Sequence, residues 1–414
     1  MKIGSARPDD LRRQNRRAIL QAVRTAGALS RTDIGAEAGL SHASVSAITT
    51  SLLEAGILRE AKSETSPKRQ RGRPQVLLEA NATAGLVSAL ALTVKGLAMA
   101  LVDYSGCTLS EKTIELDVLG MNSTEILACI DSELGQMIES HDGPDTKLRH
   151  ITLGVQGNTN VELGRVLWSP ILRERDVDLR AALAATFGVP VVVDNDCNLI
   201  TEALRYSSQF PFQNNFLALH LGHGIGMGLY LRGARFHGAS SSAGEFGHIL
   251  YKPYGQECRC GAMGCIEAYA SDYAIIGAVR PELREQALRG NIPAGAFADL
   301  ADAARNGDQA AIDAFHTAGE ALGSGLASLF SITDPLPIAL VGEGAEALDL
   351  MQPAINEILA SAAVRNYKGD FEFITFSDEN QLILDGCSMT SLRYLDTQLF
   401  ARSTGLDTKL EKTG

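Results

Sequence analysis

Aromatic residues are scarce in this chain. A single tryptophan stands among 414 residues, and Phe, Tyr and Trp together make up 6%. Uninterrupted apolar runs are missing too. The most apolar window, Leu86 to Val102, is broken by Lys95 and reads as two strands rather than a membrane span. No charged start followed by an apolar stretch opens the chain, so a secretory leader is not expected. The expected setting is soluble and cytoplasmic, with no membrane partner. The seven cysteines are few, and a reducing compartment weakens any disulfide reading of them. What is abundant is glycine, 40 residues, in a chain that is 45% hydrophobic. That balance fits an α/β protein with many tight turns, of two or three domains.

Charge is unevenly placed. The net charge is −12, yet residues 1–80 hold 14 Lys and Arg against 8 Asp and Glu, a net of +6, leaving −18 on the remainder. A basic head on an acidic body suggests that the head alone meets a polyanion; a solvated basic surface is the plain alternative. Within the head, Ser30 followed by Asp33 starts a short helix. Gly39 permits a turn, and Ser41 caps a second helix. Val45, Ile48 and Leu52 form its buried stripe, flanked by His42, Ser44, Ser46 and Thr49. An earlier helix directs Ile19, Leu20 and Val23 inward. Helix, glycine turn and a polar-faced second helix make a helix-turn-helix pattern. Lys68, Arg69, Arg71 and Arg73 follow, broken by Gly72 and Pro74, and read as a basic wing or an interdomain linker. Together these features favour double-stranded DNA as partner, with some of His42, Ser44 and Ser46 facing bases. Arg71 and Arg73 are assigned to the minor groove.

Beyond the head, short apolar runs alternate with helical stretches. Strands are expected at Leu86–Thr93, Leu97–Asp103, Ile151–Val155, Val191–Asp194, Phe216–Leu221, Met227–Leu231 and Ile338–Val341. Helices are expected at Thr124–Ser140, Asn198–Tyr206, Ile266–Val279, Gln309–Phe330 and Ala345–Ala360, with Pro353 a potential break in the last. The alternation implies an α/β body of two lobes.

The densest chemistry lies in "GEFGHILYKPYGQECRCGAMGCIEA", Gly244 to Ala268. A disulfide cluster or a metal site would each explain three cysteines so close together. His248, Cys258, Cys260 and Cys265 supply one imidazole and three thiolates within 18 positions, with Gly261 and Gly264 letting the loop fold back. That is a full tetrahedral zinc set, closed and therefore structural. Three unrelated cysteines and a core histidine would be the bland reading. Cys107, Cys129, Cys197 and Cys387 are scattered and read as small core residues.

With "LGHGIGMGLYLRGARFHGASSSAGEFGHI" and "CRCGAMGCIEAYAS" on the page, the chain resembles the ROK family, which holds bacterial sugar kinases and winged-helix sugar-responsive repressors. "VVVDNDCNLITEA" and "GVQGNTNVELGRVLWSP" resemble that family's sugar-binding segments, and a head ending in "RGRP" resembles its repressor branch. The resemblance implies an actin-like, ribonuclease H-type two-lobed body behind a winged helix-turn-helix domain. The implied division is a head of residues 1–80, a first lobe of 81–195 completed by a C-terminal helix near 381–400, and a second lobe of 196–380 bearing the zinc. It implies sugar contacts at Asn195, Asp196, Glu245, His248 and Glu267, residue types suited to vicinal hydroxyls. His248 would then serve metal and sugar through its two ring nitrogens.

In the kinase branch the aspartate matching Asp196 is the general base. The D-x-G-G-T phosphate turn of that branch should fall at Ala91-Leu92-Thr93-Val94-Lys95 and is absent. The second phosphate loop reads Gly222-His223-Gly224 in place of G-T-G. The implied protein is therefore a sugar-responsive repressor, a homodimer or homotetramer with no enzyme activity. A sugar kinase with a fused DNA-binding head is the alternative, and a zinc-stabilised DNA-binding protein with a vestigial cleft is a third reading. Thr404–Gly414 reads as a polar tail.

Overall fold

A computed structural model describes residues 8–61, 76–141, 147–206, 214–238, 244–362 and 371–399. The head comprises α1 (Pro8–Ala26), β1 (Leu29–Ser30), α2 (Arg31–Ala38), α3 (His42–Glu54), β2 (Leu58–Glu60) and β3 (Leu77–Ala80). Its three strands pair antiparallel in the order β1-β3-β2, which with the three helices is a winged helix. The expected caps form. Ser30 Oγ accepts from the Asp33 N–H, Ser41 Oγ accepts from the Ser44 N–H, and Gly39 closes α2 at φ 64°. Ile19, Leu20 and Val23 of α1 join Ile34, Val45 and Leu52 in one core, so the orientation of α3 follows that of α1. Thr49 departs from expectation. It is buried, donates to the Val45 carbonyl and accepts from Arg31 Nε at 3.1 Å, tying α2 to α3 instead of facing outward. The wing segment with Lys68, Arg69, Arg71 and Arg73, and the Thr404–Gly414 tail, lie outside the described residues.

The body opens with an antiparallel meander, β4 (Leu86–Thr93), β5 (Gly96–Asp103) and β6 (Thr108–Glu115). After α4 (Ser123–Glu139), β7 (Leu148–Val155) joins β4 in parallel. A small hairpin, β8 (Asn158–Asn160) and β9 (Arg165–Trp168), and α5 (Leu179–Phe187) lead to β10 (Val191–Asn195), parallel to β7. The first sheet thus runs β10-β7-β4-β5-β6. Every residue of β4 and β5 is buried, which is why both read as unbroken apolar runs.

Then α6 (Asp196–Tyr206) crosses to β11 (Phe216–Leu221), β12 (Ile225–Leu231) and β13 (Ala234–Arg235). The remaining elements are α7 (Glu267–Ala270), α8 (Asp272–Val279), α9 (Arg284–Leu288), α10 (Ala296–Arg305), α11 (Gln309–Thr333), β14 (Ile338–Val341), α12 (Leu348–Ser361), β15 (Phe373–Phe376) and α13 (Glu379–Tyr394). The second sheet runs β13-β12-β11-β14-β15, again an antiparallel meander whose first strand pairs in parallel with a later one. Two sheets of one topology make the body a duplicated, ribonuclease H-type fold. Between them lie α6 and α13, packed on small residues such as Ala89, Ala91, Ala98, Ala218 and Ala339. Gly226 and Gly228 of β12 let α6 approach closely, because a Cβ at either would strike Cys197 or Thr201.

All seven expected strands are present. Two helices differ. The one expected over Ile266–Val279 divides at Ser271, whose hydroxyl donates to the Glu267 carbonyl. The other begins as a 3₁₀ turn at Glu343–Ala347, and α12 then continues through Pro353. Among the described residues no helix is long and apolar enough to cross a membrane.

Candidate effector cleft and metal centre

His248 leaves a 3₁₀ turn at Phe246–His248, while Cys258, Cys260 and Cys265 sit on the loop that folds back beside it. Isolated bridges Leu250–Cys265 and Glu257–Met263 hold that loop. Gly264 adopts φ 85° against the Lys252 carbonyl, where a side chain would collide. The four candidate ligand atoms lie within 4.8 Å of one another. His248 Nδ1 is 3.6 Å from Cys258 Sγ, and the Cys260 and Cys265 sulfurs are 3.8 Å apart. A tetrahedral centre with Zn–S of about 2.3 Å and Zn–N of about 2.0–2.1 Å requires roughly 3.6 Å and 3.8 Å for those separations. The sulfurs are free thiols at nearly twice a disulfide length. Burial pushes the Cys265 thiol up to about 11 and the Cys258 thiol higher still, so thiolates here require a cation beside them. The residues therefore fit a divalent metal with no open position.

The centre adjoins a cleft between the lobes, about 70 Å³ and partly open to solvent. Asn195, Asp196, Glu245, His248 and Glu267 all line it, together with Gln156, Asn158, Thr159, Trp168, Asn198 and His220. With Nδ1 turned to the sulfurs, His248 presents Nε2 toward Glu245, 3.8 Å away. Glu267, at the start of α7, accepts from the Ile225 N–H and from Tyr273 Oη, with Cys258 Sγ 3.5 Å from it. Asp196 is buried at the start of α6. Burial raises its pKa, against the opposing pull of His220. Asn195 is more committed than expected. Its amide donates to the Gly157 carbonyl, and its oxygen accepts from the Cys197 and Asn198 N–H groups, so it shapes the cleft from behind.

Gln156 Oε1, Asn158 Oδ1 and Thr159 Oγ1 are buried without hydrogen-bond partners. These three polar atoms lie on one side of the cleft, with the Glu245 and Glu267 carboxylates on the other. Trp168, the only tryptophan, supplies an apolar face beside His248 at a ring separation of 6.1 Å. Across the lobes, Asn158 Nδ2 donates to Glu245, and Arg259, between two of the metal-loop cysteines, donates to the Pro170 carbonyl; within its own lobe it also donates to the His223 carbonyl.

Behind His220, outside the cleft lining itself, lies a charged cluster. Lys95, in the β4–β5 turn, bridges Glu343 at 2.8 Å and Glu379 at 3.5 Å. His220 Nε2 meets Glu379 at 2.5 Å. Burial alone would raise the Glu379 pKa, but His220 and Lys95 outweigh it and hold it down to about 2. His223, in the Gly222–Gly224 loop, is turned toward Asp272 at 3.3 Å.

The sequence profile of the ROK family matches residues 89–388. The chain belongs to the ROK family. Among curated proteins it is 26% identical to the DNA-binding transcriptional repressor Mlc of Escherichia coli, over 92% of this chain and 93% of that one. It is 24% identical to the xylose repressor of Caldicellulosiruptor bescii, over 84% and 88%. Among solved structures, a ROK family transcriptional regulator homologous to E. coli Mlc superposes with a TM-score of 0.77 at 24% identity, covering 95% of this chain and 99% of that one. A ROK family glucokinase from Streptomyces griseus, in complex with glucose and AMPPNP, gives a TM-score of 0.60 at 24% identity, covering 74% and 99%.

On the head, His42 is exposed at the start of α3, and Ser46 is half-buried. Ser44 is half-buried and engaged with Ser41 through its own Oγ at 3.0 Å. Sequence reasoning did not single out Trp168, Asn198, His220 or Lys95 as cleft residues. Trp168 had a signal, since a lone tryptophan sits inside the "GRVLWSP" segment.

Proposed function

We propose that this ROK protein is a sugar-responsive transcriptional regulator, a repressor of carbohydrate uptake or catabolism genes. It acts in the cytoplasm as a homodimer or homotetramer on a DNA operator. The observation that carries this reading is the pairing of a winged helix with an interlobe cleft lined by Asp196, Glu245, His248 and Glu267. The Mlc-homologous regulator supports it, because the share of this chain outside that match is far smaller than the head. Residues 1–80 are taken as the DNA-binding unit, 81–195 with the C-terminal helix as the first lobe, and 196–380 as the second. His42, Ser44 and Ser46 are assigned to bases, and Arg71 and Arg73 to the minor groove.

The effector is a sugar or sugar derivative held by Asp196, Glu245, His248 and Glu267, with Gln156, Asn158 and Thr159 opposite and Asn195 bracing the loop. The metal is zinc, held by His248, Cys258, Cys260 and Cys265. Bound there, it fixes the loop that carries Arg259 across the cleft and sets the orientation of the His248 ring. The sugar shifts operator affinity by the difference in its binding to two arrangements of the lobes, not by its affinity as such.

The kinase alternative draws on Asp196, a buried carboxyl with a raised pKa placed where a base would stand. It is opposed by the Lys95 bridge, which sets Glu343 and Glu379 where a triphosphate would need donors. Selection from randomised duplexes at moderate salt, with and without a sugar that raises the melting temperature, tests the proposal. A recovered operator motif released by that sugar supports it. No sequence preference, or sugar-dependent ADP release lost in Asp196→Asn, overturns it.

A further inference from the structure

One helix touches both the cleft and the head. At its start, Glu379 is buried against His220, a cleft-lining residue, and against Lys95 of the β4–β5 turn. Just beyond its end, in the π turn Leu395–Leu399, Asp396 is buried and held by two other elements. Its Oδ1 accepts from Tyr104 Oη at 2.5 Å and from Arg24 Nη2 at 2.8 Å, and its Oδ2 accepts from Arg24 Nη1 at 2.7 Å. Arg24 lies in the last turn of α1. Its Nε also donates to the Tyr104 carbonyl, and its guanidinium lies over the Tyr104 ring at 4.6 Å. A planar fork, a buried carboxylate and a ring face form a geometry that a sliding surface contact does not produce.

Between those ends α13 is packed as a rod. Seventeen residues separate Glu379 from Asp396 in sequence, roughly 25 Å at ~1.5 Å per residue. Ser391 Oγ pairs with Thr152 and His150 of β7, and Tyr394 stacks on His150 at 4.3 Å. Gly386 presses against the backbone of Leu199, and Arg393 meets Glu202 of α6 at 2.6 Å. The head-side joint is looser. A solvent-open cavity of about 300 Å³ flanks the clamp, lined by Arg17, Gln21, Arg24, Ser105, Ser388 and Asp396. A stiff helix entering a loosely packed joint can transmit a displacement that a fully packed joint would resist. Since α1 shares its core with α3, a shift of Arg24 re-aims the exposed face of α3.

We propose that α13 is the coupling element of the molecule, with Glu379 as its cleft-side anchor and the Asp396–Arg24–Tyr104 clamp as its joint to the DNA-binding head. This deepens the regulator reading and rests on it for the identity of the signal. The mechanical claim stands separately. Coupling between distant sites has to be shown as an interaction between changes at its two ends, not inferred from a chain of contacts.

The test is a double-mutant cycle on the full-length, metal-replete protein, read by amide hydrogen exchange across α1. Glu379→Gln is expected to speed α1 exchange at least fivefold, while α4, on the far face of the first sheet, changes less than twofold. Asp396→Asn is expected to speed α1 exchange by itself, and adding Glu379→Gln to it is expected to add nothing further. Unchanged α1 exchange in Glu379→Gln, or effects of the two changes that simply multiply, overturns the proposal. Should Glu379→Gln unfold, His220→Gln breaks the same anchor from β11 and is held to the same outcomes. A final arm adds a sugar that perturbs Trp168 emission. It is expected to alter α1 exchange in the wild type and not in Asp396→Asn, with its own dissociation constant kept within twofold. If no sugar perturbs Trp168, the regulator reading fails while the mutant cycle still decides the coupling.

Discussion

At the Trp168 end of the cleft, Gln156, Asn158 and Thr159 bury polar atoms with no partner. In the charged cluster behind the cleft lining, Lys95, Glu343, Glu379 and His220 answer one another. The first group has polar capacity free for water or a ligand in a cleft that is partly open to solvent. The second pairs its charges with one another.

The comparison breaks most severely through the metal loop, whose Arg259 holds the Pro170 and His223 carbonyls. Cys260→Ser is expected to lose the metal and lower Tm by on the order of 10 °C or more, because a structural site's binding energy is folding energy. Elemental analysis with calorimetry checks this, and a variant with wild-type metal content and Tm would overturn the ligand assignment. Next, Asp196→Ala is expected to weaken sugar binding roughly 100-fold, the loss of charge-assisted bonds of about 3 kcal/mol. Titration of Trp168 emission reads it directly, since no other tryptophan contributes.

The charged cluster should respond little. ATP–Mg²⁺ is expected to move Tm by less than about 1 °C in the wild type and in Lys95→Met, and Lys95→Met is expected to leave sugar affinity within about threefold. A clear ATP shift in either protein would reopen the kinase alternative. The smallest effect concerns another unpaired atom. His150 Nε2 is also buried without a partner, but in the packed core beside Tyr394, where there is no cleft. Burial lowers its pKa to about 3. Below pH 6.5 the unfolded chain takes up a proton that the folded ring refuses, so stability declines as pH falls from 6.5 toward 3. His150→Gln should flatten that part of the profile, as read by denaturant midpoints at pH 7 and pH 5.

Much of this was legible along the chain. The capping serines, Gly39 and the His248/Cys258/Cys260/Cys265 set are local signals, each carried by residues close in sequence. The apolar runs of β4, β5, β7, β11 and β14 announced two sheets. The polar edge strand β6 passed unnoticed because it alternates weakly and has no buried face. Thr49 was misplaced because its partner, Arg31, lies on another helix. The cleft acids were found through family resemblance, and neither spacing nor periodicity would have assembled residues 156, 196, 245 and 267 into one site.

The sequence alone therefore determined most element types, the helix-turn-helix pattern of the head and the His/Cys cluster that could hold a metal, because hydrophobic period, caps and ligand spacing act over a few residues. The tertiary structure decided which polar groups stay unpaired, that Lys95 bridges Glu343 and Glu379, and that α13 runs from Glu379 to the joint with Arg24. Those facts join residues 24, 95, 220, 343, 379 and 396, which meet only when two sheets of one topology fold around the same pair of helices.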